Sequence, residues 1–330
     1  MTEGVKVSVI GCGHWGKNLV RNFHALGALH SVCDYDPATA QKFSAEYDVP
    51  ALSFEEALQA PDIQALVLAS PAPLHFKMAH AALQAGKDVY VEKPVCLRDE
   101  DAQALCALAA EKGRILMVGH LLHYHPGFLK LKEMADAGTF GPLRYIYSNR
   151  LSFGKIRREE NVLWSFAPHD VSMILSLAGG ILPETVEAVG SCQTHPEIED
   201  IAAIHMGFPS GLGAHVNVSW INPFKEQKLV VIGENGMAVF DDREGWETKL
   251  IHYPHKIEVT QELPDIRKAD GVAVPLVESE PLRDECAHFL ECVAARKTPR
   301  TDGEEGLRVL KVLNRADRAI KAQKQQKKAA

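Results

Sequence analysis

A lysine at the end of an apolar strand, with a proline behind it, can serve a reacting oxygen. Glu92-Lys93-Pro94 closes the short run Asp88–Val91. An ammonium there can donate a hydrogen bond to a hydroxyl or carbonyl, or hold positive charge beside a developing alkoxide. Pro94 fixes the neighbouring backbone and limits where that lysine points. Local sequence alone fits a surface lysine before a turn proline equally well. A second constellation is Gly11-Cys12-Gly13-His14-Trp15-Gly16, which follows the apolar run Val5–Ile10 and opens a helix-like stretch. In that setting a Gly-x-Gly-x-x-Gly loop cradles a dinucleotide. The first glycine makes the tight turn, and the second lets the backbone approach a pyrophosphate. The third lets helix and strand pack closely. His14 and Trp15 then stand in the loop beside the cofactor. A second apolar run ends at Cys33-Asp34, about twenty residues on, where such folds place an acid on the adenosine ribose. Asp34 can accept the ribose hydroxyls and repels a 2′-phosphate, and Tyr35-Asp36 bring no arginine. NAD is expected, with NADP disfavoured.

The elements that must position these residues alternate along the first third of the chain. Apolar runs at Val5–Ile10, Leu29–Cys33, Ala65–Ala69, Val89–Val91 and Ile115–Val118 are separated by helical stretches such as Pro73–Ala85 and Asp99–Lys112. Strand and helix alternating this way predict a parallel sheet covered on both faces, with ligands beyond the carboxyl ends of the strands. The texture changes near His120. After a helical stretch at Pro126–Ala137, Leu212, Ala214, Val216, Val218 and Trp220 alternate with Gly213, His215, Asn217 and Ser219. That period of two marks a sheet packed on one face and polar on the other. Leu143–Arg150, Val186–Gln193, Ile201–Phe208, Lys228–Ile232 and Met237–Phe240 read as its neighbours. Pro281–Ala295 and Glu304–Ile320 read as closing helices. Two domains are expected, at 1–121 and 122–330, and the polar sheet face is expected to be a wet subunit contact.

Composition narrows the partners. The chain has 330 residues, 46% hydrophobic and 24% charged, enough for two cores. A formal net charge of −7 argues against nucleic acid and against an anionic membrane surface. Met1-Thr2-Glu3-Gly4 begins no signal segment, and no apolar run reaches the length of a membrane span. Seven cysteines lie scattered without a Cys-x-x-Cys pair, which suits free thiols and a cytoplasmic location. Lys321 to Lys328 read as a frayed, solvated helix end.

Taken in order, the glycine loop, Ser70-Pro71 with His75, Glu92-Lys93-Pro94, Glu280-Pro281-Leu282 and Thr301-Asp302-Gly303-Glu304 resemble the glucose–fructose oxidoreductase/inositol dehydrogenase (Gfo/Idh/MocA) family. The similarity spans nearly the whole chain. It implies an α/β protein with an N-terminal Rossmann domain, a doubly wound parallel sheet. A C-terminal α/β domain with a large, mostly antiparallel open sheet follows. It also implies a tightly held nicotinamide cofactor, and a homodimer or homotetramer built on the second sheet. Ser70, Pro71 and His75 match residues that line the cofactor, and Glu92 belongs to the same motif. Lys93 matches a lysine that reaches both the nicotinamide ribose and the substrate.

The family's other catalytic motif is an aspartate followed, after three residues, by a histidine at the start of a helix. Ser165-Phe166-Ala167-Pro168-His169-Asp170 is the matching segment, so His169 is present and Ser165 replaces the aspartate. Asp170 is not expected to substitute, because adjacent helical residues point about 100° apart. Proton transfer is therefore assigned to His169, with Lys93 assisting. A second departure lies at Gly119-His120-Leu121-Leu122-His123-Tyr124-His125-Pro126, where many relatives carry asparagine and arginine. Its histidines suggest a metal only weakly, since hydride transfer needs none, and none is expected. Tyr124 is expected at the substrate. Arg150, Lys155, Arg157 and Arg158, with Asn161 and Trp164, form a basic, aromatic stretch suited to a phosphate or carboxylate. The plainer alternative is a solvated loop paired with Glu159 and Glu160. The expected activity is hydride transfer between NAD and a secondary alcohol of a sugar, first a UDP-linked sugar acid. Alternatives are a lyase or glycosidase with transient NAD redox, and a non-catalytic sensor of NAD or sugar.

Overall fold

The computed structural model describes residues 4–258, 263 and 265–329, so Met1–Glu3 of the N-terminal reading lie outside it. Two compact units are present, one of residues 4–124 with 280–310 and one of 125–279 with 311–329.

The first unit alternates as its sequence requires. In order come β1 (Val7–Ile10), α1 (Gly16–Ala25), β2 (Leu29–Cys33), α2 (Pro37–Tyr47) and α3 (Phe54–Gln59). Then follow β3 (Ala65–Leu68), α4 (Ala72–Gln84), β4 (Asp88–Glu92), α5 (Asp99–Lys112) and β5 (Leu116–Gly119). All strand pairs are parallel, in the order β2-β1-β3-β4-β5. The order reverses between β1 and β3, and a sheet of this kind opens its ligand crevice there. β1, β3 and β4 are buried along their whole length, as continuous apolar strands between helical layers must be. Sequence periodicity did not mark α2 and α3, which rest on caps. Asp36 accepts from the Ala38 and Thr39 amides, and Ser53 with Glu56 forms a reciprocal capping box.

In the second unit, α6 (Pro126–Asp136), β6 (Leu143–Phe153), α7 (Val162–Leu177), β7 (Thr185–Ser191) and β8 (Ile201–Gly207) come first. β9 (Gly213–Ser219), β10 (Ile221–Gly233), β11 (Met237–Asp241), β12 (Leu250–Tyr253), β13 (Lys256–Glu258), β14 (Asp265–Arg267) and β15 (Val272–Ala273) complete its strands. Eight of them form one open sheet, β15-β12-β11-β10-β6-β9-β8-β7, antiparallel except for the β6–β9 pair. Ala214, Val216, Val218 and Trp220 are buried on the face that α7 covers. On the other face, His215 lies against the Tyr147 ring and its Nδ1 is 3.0 Å from the Tyr145 hydroxyl. The expected open sheet is present, polar on one side.

The chain ends with α8 (Pro281–Ala295) and α9 (Gly303–Ala329). The expected boundary at 121/122 differs from the observed division in one large respect: 280–310 rejoins the first unit. The reason is apolar. Leu282, Cys286, Phe289, Leu290 and Val293 enter the same core as Phe23 and Tyr90, whose rings meet Phe289 edge to face. The basic end is also better held than its composition suggested. α9 continues past Ile320, Lys321 pairs with Asp317 at 2.6 Å, and Lys324 pairs with Glu199.

Candidate functional site

The glycine loop leaves β1 and enters α1 with little room for side chains. Gly11 has φ +94°, and a Cβ on it would meet the Ala69 carbonyl oxygen at 2.8 Å. A Cβ on Gly16 would stand 1.8 Å from the Gly11 carbonyl oxygen, so helix and loop close only on glycine. Gly13 has nothing within 4 Å, an open backbone face where a pyrophosphate can approach. No side chain caps α1, which leaves its N-terminal dipole directed at that face. Beyond β2, Asp34 takes the Cys12 amide at 2.7 Å and the Asp36 amide at 3.0 Å. A carboxylate has about four lone-pair sites, so it can still accept ribose hydroxyls. Beyond β3, the Ser70 hydroxyl oxygen is buried without a hydrogen-bond partner, the state of a group waiting for a ligand. These residues fit a dinucleotide.

His75 and Glu92 organise the rest of this edge. The buried His75 ring spans two carbonyl oxygens, with Nδ1 2.7 Å from Pro94 and Nε2 2.7 Å from Ser70. It thus ties the loop after β3 to the turn that follows Lys93, whose bond to Pro94 is cis. Burial pushes its imidazole below the usual range, against the pull of both carbonyls. His14 is exposed in the loop. Trp15 donates its indole N–H to Glu92 Oε1 at 2.6 Å, linking the phosphate loop to the end of β4. Pro71 is the residue that leads into α4. Of the expected cofactor residues, those beyond β1, β2, β3 and β4 therefore lie at carboxyl strand ends.

In the second unit the expected substrate residues separate. His169 is half-buried on α7, which begins at Val162 rather than at the histidine, so it lies two turns in. Ser165 is buried on the preceding turn. Asp170 is fully engaged: Arg150 Nε donates to it at 2.7 Å, Arg150 Nη2 at 3.1 Å and the Ser148 hydroxyl at 2.5 Å. Arg150 is therefore corrected from substrate ligand to the buried partner that fixes α7 on β6. Asn161 is likewise corrected. It caps α7 by accepting from the Trp164 amide, and its own amide donates to Glu199 at 2.7 Å. Trp164 donates its indole N–H to Asp317 at 3.4 Å. Arg157 pairs with Glu160 at 2.9 Å, while Lys155 and Arg158 are exposed. The plainer reading of that stretch, arginine neutralised within its own loop, holds for Arg157.

Tyr124 is also corrected. It is buried in the first unit, its hydroxyl 3.1 Å from Thr301 and its ring under the Arg300 guanidinium. The neighbouring histidines serve structure. His120 Nδ1 is 2.5 Å from Glu305, and His123 faces the same carboxylate at 3.8 Å. His125 accepts from the Gly127 amide and meets Asp242 at 3.2 Å. Among the described residues no cluster of three or more His, Cys, Asp or Glu is arranged to hold a metal. No described helix is long and apolar enough to cross a membrane. Sequence reasoning missed Glu285, which α8 brings beside Tyr90. An acid on an apolar helix stripe with Leu282, Cys286 and Phe289 was the available signal.

Residues 5–120 match the Gfo/Idh/MocA oxidoreductase family, NAD-binding Rossmann fold, and residues 128–239 match that family's C-terminal domain. The chain belongs to the Gfo/Idh/MocA family. It is an oxidoreductase whose cofactor is NAD. It is 29% identical over 306 residues to UDP-N-acetylglucosamine 3-dehydrogenase from Acidithiobacillus ferrooxidans, covering 92% of this chain and 94% of that one. The solved structure of that enzyme superposes with a TM-score of 0.85 over 96% of this chain and 97% of the other, at 28% identity. The NAD-dependent scyllo-inositol 2-dehydrogenase of Bacillus subtilis is 27% identical, covering 91% of this chain and 89% of its own.

Proposed function

We propose that this protein is an NAD-dependent dehydrogenase of a sugar secondary alcohol, with a nucleotide sugar as its substrate. The observation that carries the reading is similarity to a UDP-N-acetylglucosamine dehydrogenase along 92% of the chain. Gly11, Gly13 and Gly16 would hold the pyrophosphate, Asp34 the adenosine ribose, and Ser70 the far half of the dinucleotide. When bound, the nicotinamide accepts hydride from a ring carbon or returns it. Lys93 would donate a hydrogen bond to the substrate oxygen and offset the charge of the forming alkoxide. His169 would take the hydroxyl proton, a role suited to an imidazole near neutrality. Exposed Lys155 and Arg158 remain candidates for the diphosphate or a sugar carboxylate.

The test offers NAD with UDP-N-acetylglucosamine, its uronic acid, free N-acetylglucosamine or an inositol, followed by nicotinamide absorbance. Reduction with the nucleotide sugars alone supports the substrate class. Reduction only with free sugars or inositol overturns it. Positioned proton transfer is worth about 10²–10⁴ in rate, so His169→Ala should lose that much turnover and keep its NAD affinity. Turnover at the wild-type rate would remove His169 from the proton step.

The polar sheet face is also proposed to join copies of this chain as a dimer or tetramer. Exposed Phe153, Val189 and Phe224 on β6, β7 and β10 supply the apolar area such a contact needs. Val189→Glu should shift the sedimentation of an oligomer toward monomer. Wild-type protein that sediments as a monomer refutes the contact.

A further inference from the structure

Behind the lysine that follows β4 lies a closed set of polar side chains that hydride transfer does not use. Glu92 is 9% exposed, Glu285 on α8 is 1% exposed, and Tyr90 is fully buried. The Tyr90 hydroxyl donates to Glu92 Oε1 at 3.3 Å, and α8 brings the Glu285 carboxyl beside it. A phenol has one proton to give, and Tyr90 gives it to Glu92. Glu92 gathers the donors: the Trp15 indole at 2.6 Å, the Tyr90 hydroxyl and the Lys93 amide at 3.3 Å. Glu285 Oε1 has no partner, a position tolerable for a neutral acid and costly for a carboxylate. Two buried carboxyls this close together disfavour each other's ionisation. Burial lifts both acids above the usual range, Glu285 much further, while the Lys93 charge draws Glu92 back down. Even small additions are excluded, since a Cβ on Gly119 would meet the Tyr90 hydroxyl oxygen at 2.7 Å and Glu92 Oε2 at 3.0 Å.

We propose that this set holds one negative charge, resident on Glu92, and that the charge selects oxidised over reduced nicotinamide. The inference rests on the NAD site described above. In the order β2-β1-β3-β4-β5 the adenosine half would be held at Asp34 beyond β2. The other half would lie across the switch point toward β4, where Glu92 ends the strand. The oxidised ring is cationic and the reduced ring neutral, so a buried anion at that end favours the first.

The experiment measures dissociation constants of NAD⁺ and NADH by calorimetry on the full chain, without turnover. Glu92→Gln keeps an oxygen for the Trp15 indole and removes the charge. Its preference for NAD⁺ over NADH should fall about tenfold, the scale of one charge at partly buried range. Glu285→Gln, neutral for neutral, should leave the preference at the wild-type value. Should Glu92→Gln not fold, Trp15→Phe removes a donor to the anion and should lower the preference by a smaller factor. An unchanged preference in the Glu92 or Trp15 variant overturns the inference. So does a Glu285→Gln protein whose preference falls instead. Failure of the wild type to bind either nucleotide would refute the NAD site itself, a separate result.

Discussion

The two units treat charged residues differently. In the first, the acids and glycines at strand ends are spaced out along a crevice: Asp34 holds spare lone pairs, Ser70 an unpartnered hydroxyl, and Gly13 an open backbone face. In the second, Arg150, Asn161 and Arg157 are each taken up by a neighbour in the same unit. A charged residue near a site is thus informative only once its partners are counted. Strand-end position left the first group open to a ligand, while a carboxylate of the same unit closed each of the second.

Breaking the Arg150–Asp170 pair should give the largest effect. Arg150→Ala leaves a buried carboxylate with only the Ser148 hydroxyl and should cost about 3–5 kcal/mol. Denaturant unfolding of the second unit measures it, and a stability near wild type would return Arg150 to the substrate. Gly13→Val comes next. It fills the open face without touching the protein, so NAD affinity should drop by roughly two orders of magnitude with the unfolding midpoint of the apo chain unchanged. Asp34→Ser should bring NADP binding within about tenfold of NAD, as removal of a repulsive element does. Asn161→Ala tests the cap reading and should cost about 1 kcal/mol, with little change in KM. Smallest is a pH effect. Burial holds the His75 imidazole below its ordinary value, so the unfolded chain binds that proton more readily. Stability of the first unit should be fullest above about pH 6.5 and decline below it, and His75→Gln should flatten the decline.

The first unit was largely legible because the residues expected at the cofactor, His75 on α4 excepted, lie at or just beyond the end of an apolar strand, so that spacing and strand ends carry the information. Gly11 to Gly16, Asp34, Ser70 and Lys93 all stand where the alternation put them. The return of α8 was not legible, since nothing local in Pro281–Ala295 says which sheet its apolar stripe covers. His169 was singled out through a motif alone, and its helix begins seven residues earlier, at the Asn161 cap. In the basic stretch the internal pairing of Arg150 and Arg157 was not legible. Bidentate geometry suits an internal carboxylate such as Asp170 as well as it suits a phosphate, and composition does not tell them apart.

Because residues 280–310 complete the core around Phe23 and Tyr90, a ribosome must deliver nearly the whole polypeptide before that core can close. The nascent N-terminal segment therefore waits with the faces of Phe23 and Tyr90 uncovered while everything between is made. A fragment ending at Tyr124 would carry every glycine of the phosphate loop and still lack the Phe289 wall behind it. Apolar surface left open in this way is prone to aggregate until the last stretch arrives.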